Sequence, residues 1–179
     1  MSTRQPKRIS PDYLHNAALH YLDRFASSKE NLRRVLMRRV LKSCRFHGDD
    51  PENGRTLVDS EVIRLEKAGL LNDTAYAEMK ARSLRHRGTS TRLIRQKLAL
   101  KGISPGDAGA ALDKAGEEGE DEMSAARKLA RKRHLGPWRA KEIRDENRQR
   151  DLASLARAGF SYDTACAVVD SDLEDAGPM

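Results

Sequence analysis

Aromatic side chains are scarce in this 179-residue chain: three Phe, four Tyr and one Trp. Few residues are therefore large enough to fill the centre of a single thick core. Long apolar runs are missing as well. The longest, Ala165 to Val169, is five residues, against the ~20 that a membrane-crossing helix needs. The basic start, Met1 to Arg8, leads into no apolar stretch of the kind a secretory signal carries. Cysteine is limited to Cys44 and Cys166, too few for a disulfide framework, so a reducing, cytoplasmic setting is expected. Metal chemistry finds no ligand set. His15 and His20 are five apart, hence on different faces of a helix, and Cys44 with His47 lacks a second pair. Asp49-Asp50 and the acids of 117–122 lack the spacing of a calcium loop. No glycine-rich loop ending in Gly-Lys followed by Ser or Thr cradles a phosphate. The expectation is a non-enzyme with no catalytic residues, no metal and no cofactor.

Charge is what the sequence has in abundance. Lys and Arg number 34 against 27 Asp and Glu, a net charge of +7. Residues 1–71 carry net +5, residues 72–115 another +5, and residues 116–179 net −3. The sharpest feature is Lys80 to Lys101, with eight basic side chains and no acid. Arg24 to Arg45 has eight against the single acid Glu30, and Arg127 to Arg150 is also strongly basic. Solvated helix faces account for much of this. An acid-free run of twenty-two residues, however, repels itself unless something neutralises it, which suggests a surface for phosphates or for an acidic partner.

The hydrophobic pattern predicts helix nearly throughout. Ser10-Pro11 is a cap followed by proline at the first helical position. Leu14, Ala17, Ala18, Tyr21, Leu22 and Phe25 then form one apolar stripe. Ser27 and Glu30 read as a capping box, and Leu32, Val35, Leu36 and Val40 follow on one face. Residues 46–57 are polar with Gly and Pro and read as a loop, after which Ser60 caps a short helix. Further starts fall at Asn72, Ser90, Ser104-Pro105, Glu122, Lys141 and Ser161. The elements come in threes. Leu36, Leu98 and Leu155 occupy matching places, as do Ala18, Ala77 and Ala126. Leu98-Ala99-Leu100-Lys101-Gly102-Ile103-Ser104 repeats as Leu155-Ala156-Arg157-Ala158-Gly159-Phe160-Ser161. Gly69, Gly102 and Gly159 are read as plain left-handed helix ends. The expected fold is all-α, an elongated array of tandem three-helix repeats. The repeats are placed at residues 10–71, with the polar loop 46–57, at 72–115 and at 120–172, with flexible tails at 1–9 and 173–179. Trp138, after Gly136-Pro137, suits either an inter-helix anchor or a base-stacking role.

Two stretches carry a family resemblance. Gly69-Leu70-Leu71-Asn72-Asp73-Thr74-Ala75-Tyr76-Ala77, with Leu93-Ile94-Arg95-Gln96-Lys97-Leu98 and Lys101-Gly102-Ile103, resembles the central motif of the regulatory protein RecX family. Ala156-Arg157-Ala158-Gly159-Phe160-Ser161-Tyr162-Asp163-Thr164-Ala165 is similar to its closing motif. The likeness runs over about residues 12–170. The chain departs from the family's usual pattern at Leu84, often Arg, and at Gly88-Thr89-Ser90-Thr91, often Gly-x-Gly-Pro. The resemblance implies an all-helical, non-enzymatic modulator. It would bind the RecA recombinase and its filament on single-stranded DNA, lodge in the filament groove, and suppress ATP hydrolysis and strand exchange. Recombinational repair and the SOS response are thereby implied as its setting, with weak direct nucleic-acid binding, no membrane role and a monomeric state.

On that reading the contact face is basic and comes from the middle repeat: Arg82, Arg85, Arg87, Arg92, Arg95, Lys97 and Lys101. Arg82 and Arg85, like Arg92 and Arg95, are three apart and so share a helix face. A forked guanidinium suits carboxylates and phosphates alike. The expected mechanism is a clamp that bridges filament protomers. Two other classes remain open at this point. The helix–Gly–helix joints at Gly102 and Gly159 also read as a helix-turn-helix type DNA-binding regulator, and a helical scaffold needs no nucleic acid at all.

Overall fold

The structure, a computed structural model, describes residues 5–172. Among these the regular structure is entirely helical. The helices are α1 (Pro11–Leu22), α2 (Lys29–His47), α3 (Pro51–Lys67), α4 (Asp73–His86), α5 (Thr91–Ala99), α6 (Pro105–Glu117), α7 (Glu122–Arg133), α8 (Arg144–Arg157) and α9 (Tyr162–Val169). Two short 3₁₀ turns, Gly136–Trp138 and Lys141–Ile143, precede α8. No helix of the described residues is long and apolar enough to cross a membrane. The chain divides into two compact units. Of the described residues, one unit holds those up to Tyr76 with Lys101–Ile103, and the other holds Ala77–Leu100 and those from Ser104 onward.

Most of the helices start where a short polar side chain takes over an orphan backbone donor; α8, which follows Ile143, has no such cap. The hydroxyls of Ser10, Ser28, Ser90, Ser104 and Ser161, and the carboxylates of Asp50 and Asp121, each accept from an N–H of the first turn. The cap of α2 is Ser28, one residue after the expected Ser27, whose hydroxyl instead donates to the Ser28 carbonyl.

In the first unit, Leu14 and Ala18 of α1, Leu32, Leu36 and Val40 of α2, and Val58, Val62 and Leu65 of α3 form one sealed core. Each Leu or Val side chain so buried contributes about 1.5–3 kcal/mol relative to exposure. Alanines at the contact positions let the helices approach, so aromatic bulk is not needed. The loop expected over residues 46–57 is absent. α2 runs on to His47 and α3 begins at Pro51, leaving three linking residues. Asp50-Pro51 is a cap-plus-proline start like Ser10-Pro11. Gly54 is not a breaker but a contact: a Cβ there would lie 2.3 Å from Val40 Cγ1, so its lack of a side chain lets α3 pack on α2. Ser60, expected as a cap, lies mid-helix with its hydroxyl donating to the Thr56 carbonyl.

Residues 5–9, expected to be part of a flexible tail, are tied down. Ser43 Oγ donates to the Lys7 carbonyl at 2.9 Å, His47 Nε2 bonds the Pro6 carbonyl at 2.9 Å, and Ile9 packs on the core. The remaining tail residues, 1–4 and 173–179, lie outside the described residues.

In the second unit, Ala125, Ala126, Ala130, Leu152, Leu155, Phe160, Ala165 and Val168 make the core of α7–α9, and Trp138 packs against it as an anchor. Buried Asp151 organises the turn before α8. It accepts from the Gly136 N–H at 2.8 Å and from Arg139 Nη2 at 2.6 Å, and that hydrogen bond raises the pKa of the Arg139 guanidinium. The repeated leucine–glycine–serine motif turns out to be a joint. Within the first unit, Ser28 Oγ donates to the carbonyl of Lys101, the residue before Gly102. Within the second, Ser90 Oγ donates to the carbonyl of Ala158, the residue before Gly159, at 2.7 Å. The matching residues Leu36, Leu98 and Leu155 are all fully buried, as are Ala18, Ala77 and Ala126.

Arg85 is the exception among the basic residues of α4. Its side chain is 4% exposed, and its guanidinium donates to Glu122 and Thr91, with a further bond to the Thr89 carbonyl. Thr91 also gives its backbone N–H to Glu122, at 2.8 Å. A proline at position 91, common in the resembled pattern, has no N–H for this bond.

Two outcomes follow in chemical denaturation. Gly69 and Gly159 both have φ near +75° to +90°, but a Cβ on Gly69 meets nothing within 4 Å whereas one on Gly159 lies 2.6 Å from Ser90 Oγ. Gly69→Ala therefore costs about 1–2 kcal/mol, the left-handed penalty alone; Gly159→Ala costs a further ~1–3 kcal/mol of overpacking. Glu122→Ala, by leaving Arg85 buried and unpaired, costs about 3–5 kcal/mol. Adding Arg85→Met recovers part of that loss, and simple additivity of the two would contradict the pairing.

Candidate functional site

The basic run Lys80 to Lys101 separates, in three dimensions, into cations that hold the fold and cations that face solvent. Arg85 belongs to the first group and leaves the expected contact face, so Arg82 and Arg85 do not act as a surface pair. Arg82 is exposed but bonded to Glu118 at 2.6 Å. Lys101 is half-buried, and its ammonium donates to Asn31 Oδ1 at 2.7 Å in the first unit. Arg87, just beyond α4, and Arg92, Arg95 and Lys97 on α5 are exposed, and among the described residues none of these four has a carboxylate partner.

The geometry of α5 explains how it presents them. At 100° per residue, Arg92, Arg95, Gln96 and Ala99 fall on one side and buried Ile94 and Leu98 on the other, with Lys97 on a flank. The helix is nine residues long, yet its start is fixed: the Ser90 hydroxyl caps it, and Glu122 accepts from both the N–H and the hydroxyl of Thr91. Local energetics do not favour a cation there. The first turn contains no acid, and Arg92 sits at the positive end of the helix dipole, a cost of about 0.3–1 kcal/mol near the surface. Glu122 takes up part of that positive end through the Thr91 N–H, whereas the Arg92 guanidinium faces solvent without a carboxylate partner among the described residues.

Several other exposed cations, by contrast, are paired within the chain. Asp59 accepts from Arg33 Nε at 2.6 Å, raising the pKa of that guanidinium, with Glu30 adding to the effect. Arg148 is held by Asp170, whose own pKa is lowered by the same bond. Lys29 meets Glu66 and Lys114 meets Glu78. Formal charge along the chain therefore overstates the free positive surface. Leu100, although apolar, is among the most exposed large side chains. Its position as the last, capping residue of α5 is the signal that accounts for it. His15 and His47, considered as ligands, instead bond Glu61 Oε1 and the Pro6 carbonyl.

Comparison with known proteins agrees with this architecture. The family model described as "RecX, second three-helix domain" matches residues 72–112, which hold α4, α5 and the start of α6. The regulatory protein RecX of Myxococcus xanthus is 51% identical over 170 residues, covering 94% of this chain and 90% of the relative. That of Agrobacterium fabrum is 31% identical over 172 residues, covering 96% and 90%. Two crystal structures share the fold. One, of a regulatory protein RecX, superposes with a TM-score of 0.64 at 23% identity over 90% of this chain and 72% of the other. The second, RecX from Lactobacillus salivarius, gives 0.60 at 22% identity over 89% and 94%. Similarity that extends over nearly the whole length, at half of all positions in one relative, means that this chain belongs to the RecX family of regulatory proteins.

Proposed function

We propose that this protein is a non-enzymatic regulator that binds the RecA recombinase assembled on single-stranded DNA and inhibits its ATPase and strand exchange. The observation that carries this reading is the α5 face. Arg92, Arg95 and Lys97 are exposed without a carboxylate partner on a helix whose start is fixed by Ser90 and Glu122. Fixed arginine forks recognise carboxylates and phosphates with equal geometry. A nucleoprotein filament offers both, so one face meets protein and backbone together. Arg87 extends the contact, and Arg82 joins it by releasing Glu118, since exposed ion pairs hold only weakly. Arg85 has no part in it.

The chain's organisation fits the same reading. Three successive helix triplets, at residues 10–71, 72–115 and 120–172, serve as repeated modules that engage successive filament protomers. Contacts of modest strength then add through effective concentration. Held across protomers, the filament is kept in a form that hydrolyses ATP poorly. The protein acts as a monomer in the cytoplasm, within recombinational repair and the SOS response.

The test is inhibition of the recombinase's single-stranded-DNA-dependent ATPase. Arg92→Glu combined with Arg95→Glu abolishes inhibition and leaves the circular-dichroism helix signal unchanged, because both side chains are in solvent. Inhibition at the parent level by the double variant overturns the reading.

A further inference from the structure

The first unit carries a second surface rich in unpaired cations, on α2 and the segment that precedes α1. At 100° per residue, Arg38, Leu41, Lys42, Arg45 and Phe46 share the side of α2 that faces away from buried Leu36, Val40 and Ser43. Among the described residues, none of Arg38, Arg39, Lys42 and Arg45 has a carboxylate within ion-pair distance. Between these cations, large apolar side chains stand in water: Phe46 is 52% exposed and Leu41 is 41% exposed.

The surface is concave and its parts are fixed. His47 bonds the Pro6 carbonyl, and its ring meets Phe46 edge-on with centroids 4.9 Å apart. Ser43 holds the Lys7 carbonyl. These contacts set Pro6 as one wall of a groove of about 480 Å³, lined otherwise by Arg38, Leu41, Lys42, Arg45 and Phe46. A wider cleft of about 890 Å³ shares Pro6 and Lys42 with it and adds Lys7, Arg8, Tyr13, His20 and Arg39. Among the described residues, no Asp or Glu lines either one.

We infer that this groove is a binding site for single-stranded nucleic acid, with the ammonium and guanidinium groups on the phosphates and the exposed Phe46 ring stacked on a base. Charge alone would suit any polyanion. An acidic peptide, however, has no use for a ring and a leucine presented among the cations, and a duplex keeps its bases stacked out of reach. Unstacked bases beside a charged backbone need both kinds of group together. The site differs from the α5 face and needs no recombinase, so it stands or falls apart from the function proposed above.

The experiment is fluorescence anisotropy of the full chain with a labelled oligothymidylate and, separately, with labelled polyglutamate, in the absence of recombinase. Phe46→Ala weakens oligothymidylate binding about tenfold, the usual loss for one stacked base, and leaves polyglutamate binding unchanged. Phe46→Trp restores oligothymidylate binding, which separates stacking from any effect on folding. Lys42→Gln with Arg45→Gln weakens binding and flattens its salt dependence, with a log–log slope reduced by about 1.4 if both contact phosphates. The inference is overturned if Phe46→Ala binds oligothymidylate like the parent, or if it loses polyglutamate equally. It is also overturned if Arg92→Glu with Arg95→Glu abolishes oligothymidylate binding while the groove variants retain it.

Discussion

A serine hydroxyl has one proton to give and lone pairs to receive, and this fold uses both at once. Ser28 and Ser90 are completely buried at the starts of α2 and α5. Each accepts from the backbone N–H three residues on, closing its own helix, and each donates to the carbonyl just before a left-handed glycine. A carboxylate would cap the helix but has no proton for the carbonyl. An alanine would do neither and would leave a part-buried carbonyl without its serine donor, a loss of about 1 kcal/mol. The glycines answer the same constraint from the other side. Gly102 lies against the side chain of Glu30 and Gly159 against Ser90, each too close for any Cβ. Cap and joint are thus one arrangement, used twice.

Fixing the start of α5 matters because it fixes what α5 presents. A surface arginine on a free helix loses much of its binding energy to ordering. Here the ordering is done by Ser90, Thr91, Glu122 and the buried Arg85, before any partner arrives. Arg85 and Arg92 show two uses of one residue type a few positions apart. The first neutralises a carboxylate inside the unit. The second stands at the positive end of its own helix dipole, in solvent and without a carboxylate partner among the described residues.

The helices were legible from capping chemistry and from the 3.6-residue spacing of small and aliphatic residues, and the repeated joint was visible as a repeated string. What the string did not reveal was its purpose, since a hydrogen bond from Ser28 to Lys101 spans seventy-three residues. The stretch 46–57 misled for a definable reason. Asn, Gly and Pro in sequence usually mark a turn, but Gly54 is there for interhelical contact, and only the position of Val40 makes that apparent. Similarly, Arg82 and Arg85 share a spacing that suits a surface pair, yet Glu122, thirty-seven residues away from Arg85, draws one of them inside. The α2 stretch was conspicuous by charge, whereas its groove depends on Pro6 being held by His47 forty-one residues on.

Net charge is therefore a poor guide to where this protein attracts a partner, and pairing is a better one. Exposed cations bonded to neighbouring carboxylates contribute little beyond about 10 Å at moderate salt, because their field is cancelled locally and screened beyond. Arg33, Arg34, Lys114 and Arg148 are of this kind. Arg92, Arg95 and Lys97 in one unit, and Arg38, Lys42 and Arg45 in the other, are not. Each of these sets lies on one short length of helix, so its members cannot separate to relieve their mutual repulsion. Like charges held together without counter-charges raise the energy of the free protein and lower the cost of meeting a polyanion by the same amount. The specificity left after charge is satisfied must come from the uncharged neighbours. On α2 those are Phe46 and Leu41, while on α5 the neighbours on the exposed side are Gln96 and Ala99. A ring and a leucine suit unstacked bases; a glutamine and a methyl group suit the closer, more regular surface of a folded protein.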